Sequence, residues 1–165
     1  MSRETPLPNA YPNGNCFFCG PANPVGPRLS FSLLEDDPPA IVCRWTPPKA
    51  YSGLGGILHG GIQAGLFDEM MGWTTHQLVG PGVTTGMEIE YLGPLYVEKE
   101  LTAICRVAGL NPPKVLLAAH LQDQDGTVRA RAKGTYRLVK PEVFKAITGV
   151  APYVSPLAPW PQAKP

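Results

Sequence analysis

The chain has no apolar run approaching the roughly 20 residues that a membrane-spanning helix requires. It also has no surplus of charge, with 14 lysines and arginines against 13 acidic residues. That balance gives no global pull toward nucleic acid or an anionic membrane, so neither is expected as a partner. The opening Met1-Ser2-Arg3-Glu4-Thr5-Pro6 lacks the apolar core of a signal peptide, and a cytoplasmic location is the expectation. Cysteine is scarce, with 4 in 165 residues, which in that compartment read as thiols or metal ligands rather than disulfides. Cys16 and Cys19 form a C-x-x-C pair with no second pair beside it. A structural zinc site takes four ligands, so the pair reads as packing of an N-terminal arm over the sheet or a substrate tunnel, and no metal is expected. No internal repeat is visible.

Proline is nearly absent from the middle of the chain. Of 20 prolines, only Pro81, Pro94, Pro112 and Pro113 fall between residues 50 and 140. This divides the sequence into an irregular, proline-rich arm (1–27), one domain (28–140) and an extension (141–165) that ends in a proline-rich tail from residue 152. A length of 165 residues suits a single domain with a sizeable core.

Within the domain, 29–34 and 41–46 read as short strands around the Glu35-Asp36-Asp37-Pro38-Pro39 turn. Ile62, Leu66, Met70 and Trp73 recur at i, i+4, i+8 and i+11, which predicts a helix over 57–78, ended by Gly80-Pro81-Gly82. Ala64, Phe67 and Met71 make it apolar on other sides too, so it should be buried most of the way round. Strands follow at 84–92, 100–107, 115–122 and 127–139, the last two joined by a hairpin at Asp125-Gly126. On the last strand Val128, Ala130, Ala132, Gly134, Tyr136 and Leu138 share one face, small enough to let a helix approach closely. The order β-β-α-β-β-β-β predicts an α+β domain, its antiparallel sheet wrapped around one long central helix, with the four C-terminal strands, joined by short connections, as antiparallel neighbours in turn.

The chemistry concentrates at Gly55-Gly56-Ile57-Leu58-His59-Gly60-Gly61-Ile62-Gln63-Ala64-Gly65-Leu66-Phe67-Asp68-Glu69. Glycines at a helix start leave backbone N–H groups free to bind a developing oxyanion. A carboxylate on a largely apolar helix is costly without a role or a partner. Donor and carboxylate together suggest hydrolysis of an activated acyl group. Nine helical residues separate His59 from Asp68, a rise of roughly 13–14 Å with about half a turn of net rotation. One helix therefore cannot bring both to one reacting atom, but two helices related by a two-fold axis can.

The His59-Gly60-Gly61 start with Asp68 nine residues after the histidine resembles the hotdog-fold thioesterases, in particular the PaaI-like acyl-CoA thioesterases. The likeness runs over roughly 16–140. It is supported by Thr84-Thr85-Gly86-Met87-Glu88-Ile89-Glu90-Tyr91-Leu92-Gly93-Pro94 and by Cys16-Phe17-Phe18-Cys19-Gly20-Pro21-Ala22-Asn23-Pro24. The resemblance implies a hotdog fold that dimerises or forms tetramers. It also implies an acyl-CoA substrate and no cofactor beyond the CoA carried by that substrate. It assigns Asp68 as general base or nucleophile and the Gly60 N–H as the group that polarises the thioester carbonyl. His59 would hold that loop or the substrate carbonyl, and Thr84 would orient the attacking water. Gly61, Glu69, Thr85 and Gly86 would contact substrate. The chain departs from some relatives at Gly53, where they carry an asparagine.

Arg129, Arg131, Lys133 and Arg137 make a basic strip on the last strand. A solvated sheet face explains such a strip, and a seat for CoA phosphates, with Arg129 and Lys133 as contacts, is the functional reading. His76 reads as helix surface and His120 as a strand residue. Two other readings keep the fold: a hotdog protein that binds an acyl-CoA or apolar ligand without turnover, and a hotdog dehydratase.

Overall fold

The computed structural model describes residues 3–153 and 155–158. Met1 and Ser2 of the leader reading, and most of the proline-rich tail, lie outside the described residues. Seven strands form one antiparallel sheet: β1 (Glu4–Pro6), β2 (Ser32–Leu34), β3 (Ala40–Trp45), β4 (Gly82–Tyr91), β5 (Leu101–Asn111), β6 (Lys114–Gln122) and β7 (Val128–Leu138). Among the described residues two α-helices accompany them, α1 (Gly60–Leu78) and α2 (Pro141–Thr148), with short 3-10 turns at Lys49–Tyr51 and Leu54–Gly56. The architecture is the expected α+β sheet around one long helix.

The sheet order is β1-β2-β3-β5-β6-β7-β4. Three points differ from the sequence reading. The irregular arm contributes β1, which pairs with β2. The extension contributes α2, with proline at its first turn and Gly149 closing it at φ 75. β4 does not neighbour β5 but pairs with β7 at the far edge. The connection after β4 explains this. It passes beneath the mouth of α1, where Leu58 N–H donates to the Leu95 carbonyl (2.7 Å) and Val97 N–H to that of Gly56 (3.0 Å), and so delivers β5 beside β3.

Helix α1 begins three residues later than its apolar pattern. Gly55 and Gly56 take positive φ (61° and 78°), and Leu58 and Ile57 bridge Ser52 and Tyr96. His59 then caps the helix. Leu66, Phe67, Met70 and Met71 are fully buried on the sheet side. The stripe Gly65, Glu69, Trp73 and His76 lies on another side, under other parts of the chain. A Cβ on Gly65 would sit 2.4 Å from the Phe18 ring, and Phe31 stacks on Trp73 at 4.4 Å. Phe144 of α2 covers His76 at 5.2 Å. His76 is therefore not helix surface. Its Nε2 lies 3.3 Å from the Gly82 carbonyl, and burial lowers its pKa. His120 is a half-buried strand residue, as read.

The small residues of β7 do face the helix. A Cβ on Gly134 would lie 2.2 Å from Sδ of the fully buried Met71. Gly134→Ala is expected to overpack this contact and cost about 1–3 kcal/mol in denaturant unfolding. Adding Met71→Ala should make the Gly134 change less costly. Equal cost in both backgrounds would show that helix and sheet are not in contact there.

Candidate active site

Asp68 sits on α1 at the boundary between its two covered faces and is exposed. Its side chain is held from the sheet. Thr84 Oγ1–H donates to Asp68 Oδ1 at 2.7 Å. The Tyr136 hydroxyl lies 3.0 Å from the same oxygen and 2.9 Å from the Asp68 carbonyl, so its one proton is shared between them. Burial raises the Tyr136 pKa, which keeps the hydroxyl a donor. Oδ2 has no partner among the described residues. One oxygen is thus fixed and the other is open for a proton or an electrophilic carbon.

A β-bulge in β4 makes this arrangement possible. The register runs Thr84↔Tyr136 and then Gly86↔Thr135, with Thr85 the extra residue. Thr84 and Tyr136 therefore meet opposite Asp68. Thr85 Oγ1 instead donates to the Thr135 carbonyl at 2.9 Å, away from the carboxylate. Gly86 is exposed, and a Cβ there would meet nothing within 4 Å.

At the helix mouth, His59 Nδ1 accepts from Gly61 N–H at 2.9 Å, which leaves the ring proton on Nε2. The Gly61 donor is consumed by this cap. Gly60 N–H, the first of the helix, has no acceptor among the described residues. Tyr91 braces the turn by donating its hydroxyl to the Gly60 carbonyl at 2.9 Å. Eight helical residues separate Gly60 from Asp68, about 12 Å of rise.

Other candidates fall elsewhere. Glu69 turns away from Asp68 into the arm, accepting from Trp73 Nε1 (3.1 Å) and Cys16 Sγ (3.4 Å). Burial pushes its carboxyl up to about 7, against the lowering by the Cys19 thiol and the Trp73 indole. Arg129 is bound to Asp123 at 2.6 Å. Lys133 is exposed and lies opposite Glu88 in the sheet register. Tyr136 was missed as a site residue. The signal was present, since alternation placed it on the helix-facing side of β7, but a pattern does not say which helix position a hydroxyl meets.

This sheet around this helix defines an α+β hotdog domain. Residues 55–130 match the family model of the thioesterase superfamily, from the turn before α1 to the start of β7. That match covers under half of the chain, and solved structures share the fold. A solved thioesterase superfamily protein has a similar fold (TM-score 0.70) at 23% identity, over 75% of this chain and 60% of that one, so the chain spans about 60% of its length. The PaaI protein of the Escherichia coli phenylacetic acid degradation operon aligns at TM-score 0.57 and 18% identity, over 60% of this chain and 76% of its own. A hypothetical thioesterase of Streptococcus pneumoniae, solved with coenzyme A, aligns at TM-score 0.56 and 20% identity, over 61% and 78%. No curated protein matches the chain. No helix among the described residues is long and apolar enough to cross a membrane.

Proposed function

We propose that the protein is an acyl-CoA thioesterase whose sites are shared between two chains. The observation that carries this reading is Asp68, exposed on a core helix with one oxygen held by Thr84 and Tyr136 and the other unpartnered. In this reading the thioester carbonyl meets the Gly60 N–H of one chain. Asp68 of the facing chain takes a proton from water, and the hydroxide attacks the carbonyl carbon. Charge gathers on the oxygen at the Gly60 N–H; as the carbonyl re-forms, the C–S bond breaks and CoA leaves as the thiol with the proton that Asp68 took. Direct attack by Asp68, giving a mixed anhydride that water then cleaves, fits the same groups. Thr84 and Tyr136 aim the carboxylate, and His59 shapes the donor loop.

Two further observations support the reading. Solved variants of the pneumococcal thioesterase replace an aspartate in one case and a threonine in the other, sixteen residues apart in its chain. Asp68 and Thr84 have the same separation, 16 residues. The second is the surface near the site. Among the described residues β4 is an edge strand of the sheet, and Leu54 (91% exposed), Tyr91 (51%) and Tyr96 (49%) lie near the helix mouth and the end of that strand. Pairing of two chains there, as a dimer or within a tetramer, would cover apolar surface and bring the donor of one helix toward Asp68 of the other. Lys133 on the outer sheet face, with Arg129 beside its Asp123 partner, is the proposed seat for CoA phosphates.

The test is hydrolysis of a panel of short, long and aromatic acyl-CoAs, followed by thioester absorbance because the chain has thiols of its own. Turnover of at least one class is expected. Binding of CoA esters with no turnover across the panel would instead support a ligand-binding role.

A further inference from the structure

We propose that Cys16, Cys19 and Glu69 form a binding site for a zinc-class divalent ion, with two thiolates and one carboxylate oxygen as ligands. The sequence shows only two of the three ligands. The third comes from α1, 50 residues beyond Cys19, and only the fold brings it in. The three ligand atoms lie within 4.8 Å of one another, and Cys16 Sγ is 3.4 Å from Glu69 Oε2. A tetrahedral zinc with ordinary bond lengths has ligand–ligand edges of roughly 3.6–3.8 Å, so small side-chain rotations complete the set.

The turn around the cysteines is built for this task. Gly20 N–H donates to the Cys16 carbonyl at 2.9 Å. A Cβ on Gly20 would lie 2.4 Å from the Cys16 nitrogen and 2.5 Å from its carbonyl oxygen, so only glycine closes the turn.

Glu69 supplies the second, independent argument. It accepts from Trp73 Nε1 and Cys16 Sγ, and no ion pair with a cation reaches it among the described residues. A carboxylate drawn into a protein interior without a cationic partner is costly, and a divalent ion between it and the thiols removes that cost. A disulfide between Cys16 and Cys19 would have no use for the carboxylate. Two soft thiolates with one oxygen suit zinc over magnesium or calcium. The fourth position opens on a cavity of about 220 Å³ lined by Tyr11, Trp73, His76 and Tyr153, which has room for a water ligand. The ion would fasten the arm to the helical turn that carries Asp68, and the site stands whether or not the thioesterase reading does.

Cobalt(II) added to the reduced, full-length chain tests the site. One equivalent is expected to bind, with a thiolate-to-cobalt charge-transfer band that zinc(II) abolishes by displacement. Cys16→Ser should remove the band. Glu69→Gln should weaken cobalt binding at least about tenfold, since even groups that only orient a metal ligand are worth about 10–100-fold in affinity. If Cys16→Ser does not fold, X-ray absorption of the wild-type zinc complex should still show two sulfur ligands with oxygen or nitrogen completing the shell. The proposal is overturned by any of four results: no uptake by the reduced chain, uptake that survives Cys16→Ser, unchanged affinity in Glu69→Gln, or a zinc shell without two sulfurs. A disulfide that forms in air while the reduced chain ignores metal is the first of these.

Discussion

Asp68→Asn is expected to lower kcat for acyl-CoA hydrolysis roughly 10²–10⁴-fold, the range for removing a positioned general base. That is about 3–5 kcal/mol of barrier. The replacement keeps the shape and an oxygen that Thr84 (2.7 Å) and Tyr136 (3.0 Å) can still donate to. It removes the second oxygen, the one that receives a proton or attacks carbon. KM should change little, because in the proposed mechanism Asp68 acts on the reacting atoms and not on the CoA body. Folding and assembly should be unchanged, since Asp68 is exposed and outside the core. Full activity in the variant would remove the assignment of Asp68, and unfolding would show that the carboxylate is structural.

Gly60→Pro is expected to cost about 10²–10³-fold in kcat, the loss seen when one oxyanion donor is removed. Proline deletes the N–H while leaving the backbone able to start a helix, because Gly60 is the first helical residue and proline is favoured there. His59, which precedes it, already holds ψ 133°, compatible with a following proline. A new Cβ at position 60 would meet Tyr91 at an ordinary 3.6 Å. The variant should therefore melt near wild type and bind CoA esters, but turn them over slowly. Gly60→Ala, which retains the N–H, should stay active. Equal loss in both variants would point to steric damage and not to a missing donor.

What the sequence made legible was local. The 3.6-residue spacing of Ile62, Leu66, Met70 and Trp73 and the alternation along β7 each report on one element, and both elements are where those patterns placed them. The histidine-glycine start and the carboxylate nine residues on were legible for the same reason. Placement across elements was not. β1 is three residues long and carries no readable alternation. The position of β4 beyond β7 depends on a connection whose hydrogen bonds to the helix mouth leave no periodic trace. Glu69 adjoins Asp68 in sequence, yet one helical step rotates it about 100°, from the open edge to the covered face. Its meeting with Cys16 and Cys19 is likewise a product of the fold. α2 could have been found from Pro141 and Gly149, but the surrounding prolines read as tail.

Mixing two inactive variants tests the central claim, that each site is completed by a second chain, more directly than either variant alone. Gly60→Pro and Asp68→Asn chains, separately tagged and co-expressed, form hybrids in which one site carries both defects and the other carries neither. Purified hybrids should recover about half of wild-type turnover per dimer, and a statistical mixture about a quarter. Hybrids no more active than the two parents would contradict a shared site and place donor and carboxylate in separate roles.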